Sequence, residues 1–314
     1  MRRRPPRLVV HLWVFVLANG AATHAAVLCQ KKSGAVFVRA ACKRKEKALD
    51  PVALGLVGPR GDAGPQGPPG IGPLGTCPAD AVLAGTTCMD KYEASVWLVP
   101  APTTVNATLV TDIQQGRATA VALVAGGATQ LGIGATNDYA PCAVSGQNCA
   151  NIFAVSLPGV PPSANITWFQ ALAACKNARK RLPSNAEWQA AVAGTPDPGP
   201  DNGSTDCHTV GGAAVNTGSR SACVSSDGAF DMVGNLFEWV ADWVPRSVSC
   251  GTWSAGVSPT GDEQCLLDVP MIGEPAALAR GGSSFSGVAA GPLAVEGRDE
   301  PSGLSPAFGF RCAR

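Results

Sequence analysis

The run "SDGAFDMVGNLFEWVADW", residues 226–243, sets Asp227, Asp231, Glu238 and Asp242 among apolar and aromatic residues, with glycines at 228 and 234 and Asn235 beside the second. Carboxylates are seldom fully buried unless paired. The run is therefore either a core strand that pairs its acids internally or a site that needs them. Calcium is a hard cation that takes about six to eight oxygens from carboxylates and backbone carbonyls. A turn holding Asp231, Gly234 and Asn235, with Glu238 beyond, supplies both kinds, because glycine lets the backbone bend its carbonyls inward. The competing reading keeps Asp231 and Glu238 as hydrogen-bonding members of a Trp-rich core, since five of the seven tryptophans fall between Trp168 and Trp253. The residues alone leave both readings open.

The surrounding 314 residues suffice for one large or two medium domains with a proper core. Lys and Arg number 24 against 23 Asp and Glu, a formal net charge of +1, which argues against electrostatic binding of nucleic acid. Charged residues make up only 15% while Gly (37) and Pro (26) abound, which suits a loop-rich fold and not a helical bundle.

The N-terminus, "MRRRPPRLVVHLWVFVLANGAATHAA", has a basic start, an apolar stretch from Leu8 to Leu17 and then small residues. This pattern reads as a secretory signal peptide over residues 1–26, cleaved after Ala25 or Ala26. The apolar stretch is short of the ~20 residues a membrane span needs, so no span is expected after processing. Leu28 next to Cys29 makes a poor lipoprotein box. The expected location is secreted, periplasmic or cell-surface. The Asn106, Asn165 and Asn202 sequons would matter only in a eukaryotic host.

All 12 cysteines follow the cleavage point, so disulfides are the default reading for an exported chain. The short spacings suggest the staples Cys29–Cys42, Cys77–Cys88, Cys142–Cys149, Cys207–Cys223 and Cys250–Cys265, which leaves Cys175 and Cys312 for a long-range bridge. This set is the most economical of many pairings. Of three histidines, only His208 survives processing, which excludes multi-histidine metal sites within the chain. A Ser-His-Asp triad would have to use His208, in a loop rich in Gly and Ser.

Three segments follow the signal. Residues 27–54 form a small basic piece whose Cys29 and Cys42 bracket an alternating apolar run, expected as a hairpin closed by a disulfide. It resembles cysteine-bounded segments that precede collagen-like stretches in exported bacterial proteins, which suggests a bacterial source. Residues 55–76 are a collagen-like spacer: "GLVGPRGDAGPQGPPG", 55–70, has glycine at every third position before Gly72 breaks the register. Five triplets are too few to hold three chains unaided, so an extended spacer is favoured over a homotrimeric stalk. The Arg60–Asp62 "RGD" reads as triplet filler. Residues 77–314 read as one domain, with "CMDKYEASVWLV" as a strand and 101–165 as strands and loops. Thr167 caps one helix, and Ser184 with Glu187 forms the capping box of another.

In order, "CMDKYEAS", "ITWFQALAACKNARKRLPSNAEW", "DMVGNLFEWVADW", "ARGGSSF" and "FGFRC" resemble the formylglycine-generating enzyme, or sulfatase-modifying factor, family over Cys77–Arg314. The resemblance implies an α+β fold, a variant of the C-type-lectin fold with little regular structure. It implies a structural calcium held by the side chains of Asp231 and Glu238 and the carbonyls of Gly234 and Leu236. The family's bridge from the first helix to the C-terminal cysteine would fall on Cys175 and Cys312. A second family calcium site lies in a preceding loop that is shortened here and is not carried over.

The stretch "LARGGSSFSGVAAG", from Leu278, decides the chemistry. Family enzymes oxidise a substrate cysteine with copper(I) held by two cysteines, thiolate being the soft ligand that ion prefers. The matching positions here are Ser286 and Gly291, so copper is not expected. Phe237 and Ala307 also depart from the family pattern, while Ser283 and Arg298 match it. Ser283, Ser286, Phe237 and Arg298 are expected to line a vestigial cleft. Serine catalysis by Ser284 or Ser286 lacks a nearby base in sequence. Iron-dependent sulfoxide synthases of this fold use several histidines and are excluded on residue count. The favoured expectation is a non-catalytic, calcium-stabilised binding or structural module for an extracellular protein or glycan. The alternative is a formylglycine-generating-type oxidase with non-standard ligands.

Overall fold

A computed structural model describes residues 27–50 and 76–314, except 135, 198, 270–272 and 274. The signal-peptide and Gly-X-Y readings lie outside the described residues. The chain divides into two compact units, one within the first 72 residues and one from 73 onward.

The first unit is a three-stranded antiparallel sheet of β1 (Val27–Lys31), β2 (Val36–Arg39) and β3 (Glu46–Leu49), with β1 central. So small a sheet cannot bury a core of its own. The Cys29–Cys42 disulfide therefore ties the β2–β3 connection to the central strand.

The second unit opens with β4 (Ala81–Ala84) and β5 (Thr87–Asp90), a hairpin. A second sheet, in the order β7-β6-β8, comprises β6 (Ala94–Leu98), β7 (Thr129–Leu131) and β8 (Ile152–Ser156). The run "CMDKYEASVWLV" is thus two strands, broken at Lys91–Glu93. Residues 101–165 hold two helices where sequence reading expects none: α1 (Ala107–Gln114) and α2 (Ala120–Ala125). Packing overrides their weak propensity. Leu109 and Ile113, one helical turn apart, and Leu123 are buried against Trp97, Val99 and Phe153.

Helices α3 (Trp168–Asn177) and α4 (Asn185–Ala191) begin at Thr167 and Ser184, each in a complete capping box with Gln170 or Glu187. Arg181 also grips Glu187 and holds its carboxyl down at about 2. A six-stranded mixed sheet, in the order β10-β11-β13-β12-β9-β14, completes the unit. Its members are β9 (Phe237–Pro245), β10 (Ser249–Thr252), β11 (Glu263–Leu267), β12 (Pro275–Arg280), β13 (Val295–Glu296) and β14 (Phe308–Phe310). The core lies between this sheet, the β6 sheet and α3, where Trp239, Phe237, Phe308 and Phe310 pack.

Six disulfides consume all the cysteines. Cys175–Cys312 joins α3 to the C-terminus across 137 residues. Among the described residues no helix is long and apolar enough to cross a membrane.

Candidate functional site

The turn leading into β9 is wound tightly, because Asp231, Gly234 and Asn235 have φ of 58°, 74° and 55°. Asp and Asn tolerate this left-handed region better than other side chains, and Gly234 has no alternative. A Cβ on Gly234 would sit 2.4 Å from the His208 carbonyl oxygen. Asn235 braces the turn with every group it has. Its N–H donates to the His208 carbonyl at 2.7 Å, its carbonyl accepts from the Ser284 N–H at 3.0 Å, and its side-chain oxygen accepts from the Val215 N–H at 2.8 Å. Its side-chain amide donates to Glu93 at 2.5 Å. The acidic turn and the "GGSSF" loop are therefore one structure.

The first four residues of β9 are buried, and Glu238 among them is ion-paired. Arg311, fully buried, donates to both Glu238 oxygens at 2.8 and 2.7 Å through Nε, and again through Nη2 at 2.5 Å. Trp188 Nε1 donates to Oε2 at 2.7 Å. Asp231 Oδ2 accepts the Gly218 N–H at 2.6 Å. Glu93, fully buried, takes the Leu236 N–H at 3.0 Å as well as the Asn235 amide. Burial, reinforced by Asp231 and Glu238, pushes the Glu93 carboxyl well above the usual range. Burial likewise raises Asp231 to about 6, opposed by the Gly218 hydrogen bond and Arg311. Three buried carboxylates thus face mainly one guanidinium. Asp242, at the exposed end of β9, instead accepts the Asn185 N–H at 2.6 Å at the start of α4.

Asp231, Gly234 and Leu236 lie on this turn, and Glu238 follows as the second residue of β9. Their oxygens fit calcium in kind, and a cation there would favour ionisation of the carboxyls that burial disfavours. Glu238, however, already serves Arg311 and Trp188, so an ion there would share its carboxylate with a guanidinium. Among the described residues, the only His, Cys, Asp or Glu trio with ligand atoms within 4.8 Å of one another is Cys250, Glu263 and Cys265. Those two cysteines are joined in a disulfide and offer no thiolate.

The two positions expected to match the family's copper cysteines, Ser286 and Gly291, carry no thiol. The Ser286 hydroxyl accepts the Ser283 N–H at 3.0 Å. Gly291 is closed to any side chain, because a Cβ there would lie 2.3–2.4 Å from the Asp262 carboxylate. Asp262 is fixed by the Leu293 N–H at 2.7 Å and by the Ser258 hydroxyl at 2.5 Å. No cysteine is free.

The expected cleft of Ser283, Ser286, Phe237 and Arg298 is not gathered as one lining. Ser283 and Ser286 are neighbours, with hydroxyls 3.4 Å apart. Phe237 stacks on Phe308 at 5.1 Å inside the core, where an aromatic ring gains more from burial than at a cleft wall. Arg298 is spent on Glu296, with contacts of 2.6–3.2 Å. His208 is also committed. Its Nε2 lies 2.9 Å from the Ala213 carbonyl and so carries the proton, leaving Nδ1 to accept from Arg220 at 2.8 Å. Among the described residues no serine hydrogen-bonds to either ring nitrogen, so the residues described form no Ser-His-Asp triad there.

Glu93, Arg311 and Asp262 were missed as site residues in the sequence. The first two had a usable signal: Glu93 is an acid in an otherwise apolar strand pattern, and Arg311 stands between Phe310 and Cys312. Asp262 had none, because only folding brings it to Gly291.

Residues 153–314 match the family model for the sulfatase-modifying factor enzyme 1-like domain, and the chain belongs to that family. The family's α+β fold, mostly strands with few helices, is the one described above. Among curated proteins the chain is similar to the serine/threonine-protein kinases Pkn1 of Chlamydia trachomatis and Chlamydia pneumoniae, each 27% identical over 165 residues. Those matches cover 49% of this chain and 24% of each kinase, so the chain spans about a quarter of their length. Among solved structures, the Major Tropism Determinant P3c variant is 15% identical at a TM-score of 0.42, covering 94% of this chain and 73% of the other. CarF is 15% identical at 0.36, covering 73% and 85%.

Proposed function

We propose that the chain is an exported, non-catalytic binding or structural module built on the sulfatase-modifying factor fold. The observation that supports this most is the fate of the two copper positions. One holds a hydroxyl, the other is filled by Asp262, and every cysteine is in a disulfide. Copper(I) needs soft thiolate ligands, and a hydroxyl and a carboxylate are hard oxygen donors instead. Six disulfides also suit an oxidising compartment outside the cytoplasm.

The mature chain, incubated with copper, reductant and a peptide carrying a Cys-x-Pro-x-Arg motif, is expected to leave the peptide cysteine unchanged by mass spectrometry. Formylglycine formation, matched against a working family enzyme, would show an oxidase with ligands other than these and end the non-catalytic reading.

Calcium belongs to the same proposal as a structural ion, held by Asp231, Glu238 and the Gly234 and Leu236 carbonyls. It would balance the buried carboxylates that Arg311 alone does not. A ligand bound only by the folded state stabilises it by mass action, roughly 2.7 kcal/mol at a hundredfold excess over Kd. The melting temperature should therefore rise with calcium and fall with chelator, and Asp231→Ala should abolish the difference. Equal melting of the unmutated chain in both buffers would remove calcium from the reading.

A further inference from the structure

The formal charge of +1 conceals a segregation. Residues 77–314 carry twelve Lys and Arg against twenty Asp and Glu, whereas residues 27–50 carry seven against Glu46 and Asp50. Within the small sheet six of those seven cations are gathered at one end. β1 ends at Lys31, paired with Glu46 at the start of β3, and the turn into β2 adds Lys32. The β2–β3 connection returns to the same end, pinned midway by Cys42 to Cys29, and delivers Lys43, Arg44 and Lys45. Lys47 follows on β3, and all six side chains are exposed.

The acid at this end is already neutralised. Glu46 accepts from Arg39 Nη2 at 3.2 Å and from the Lys43 N–H at 3.0 Å. Lys31 lies 4.8 Å over the Phe37 ring, which steadies it without cancelling its charge. The end is also concave, with hollows of 520 and 540 Å³ lined by these residues. Like charges crowded this closely repel one another, and a bound polyanion would relieve the repulsion.

We infer that this basic end of the β1–β3 sheet is a docking site for an acidic polysaccharide, one bearing carboxylate or sulfate groups along its chain. A polymer strand can enter a hollow that a flat lipid surface cannot follow. The sheet also presents no exposed aromatic or leucine for insertion into a bilayer; its exposed large apolar residues are the valines Val36 and Val38. The inference deepens the proposed binding role and rests on it only in preferring a glycan outside the cell to a nucleic acid.

The test is a titration of the mature full-length chain with a size-defined heparin fragment at about 50 to 200 mM salt, the range in which counterion release is read. Neutral dextran, phosphatidylglycerol vesicles and a DNA duplex serve as comparisons. Heparin should bind, weaken steeply with salt and exceed all three comparisons. A Lys32→Glu/Lys45→Glu variant should bind roughly tenfold or more weakly with a shallower salt slope. Its melting curve should be unchanged, because both residues are solvent-facing. Absence of heparin binding, equal binding by the variant, or preference for vesicles or duplex would overturn the inference. The peptide oxidation assay is independent of this titration, so failure of one reading is distinguishable from failure of the other.

Discussion

Arg311→Met is expected to cost the larger unit roughly 3–5 kcal/mol, the loss seen when one partner of a buried ion pair is removed. Arg311 has no solvent exposure, grips both oxygens of Glu238, and also donates to the Asp90 carbonyl at 3.0 Å and the Phe230 carbonyl at 2.7 Å. Its removal strands Glu238 beside Glu93 and Asp231 with no buried cation in contact. A domain this size has a total stability of only about 5–15 kcal/mol, so partial unfolding at room temperature is within reach. Equilibrium urea unfolding measures the cost directly. The double variant Arg311→Met/Glu238→Leu should recover part of the loss, because Glu238 is then no longer left charged without its partner, while Glu93 and Asp231 remain. A single-variant cost below about 1 kcal/mol would show that water or an ion already screens the pair.

The Cys175→Ala/Cys312→Ala double variant should lose about 4–5 kcal/mol. Cross-linking restricts the unfolded chain in proportion to the logarithm of the loop closed, and the bridge closes a separation of 137 residues. The Cys207–Cys223 and Cys250–Cys265 bridges lie inside that loop and shorten it, so the loss should fall below the full loop-entropy value. The local consequence should exceed the global one at β14. That strand is only three residues long and pairs with β9 alone in the sheet. Hydrogen exchange at Phe308–Phe310 should accelerate before exchange in β12 does. Unchanged protection there would mean that packing of Phe308 and Phe310 against Trp239 holds the strand unaided.

Both effects meet at "FGFRC", which sequence reading took mainly as a signature ending in a bridge cysteine. The cysteines were legible because an even number in an exported chain makes disulfides the default. The two capped helices were legible because a capping box is a local arrangement of neighbouring residues. Helices α1 and α2 were not, because their Val- and Thr-containing sequences favour helix only once Leu109, Ile113 and Leu123 are buried. That Ser286 and Gly291, the positions expected to match the family's copper cysteines, carry no thiol could be read from residue type alone. The vestigial cleft could not, because whether Phe237 faces solvent or Phe308 depends on which sheet covers it.

What is counted or local was legible in the chain: the family motifs, the even set of cysteines, the capped helices, Ser286 and Gly291 as non-thiol residues, and the acids around Gly234. Only the tertiary structure decided what those acids do. Glu93 reaches the turn from 142 residues away and Arg311 from 73 beyond Glu238. Asp262 fills the space at Gly291, and strand pairing brings six cations of the first unit to one end of its sheet. Charge and burial act through distance in space, and the chain's order records only distance along the backbone.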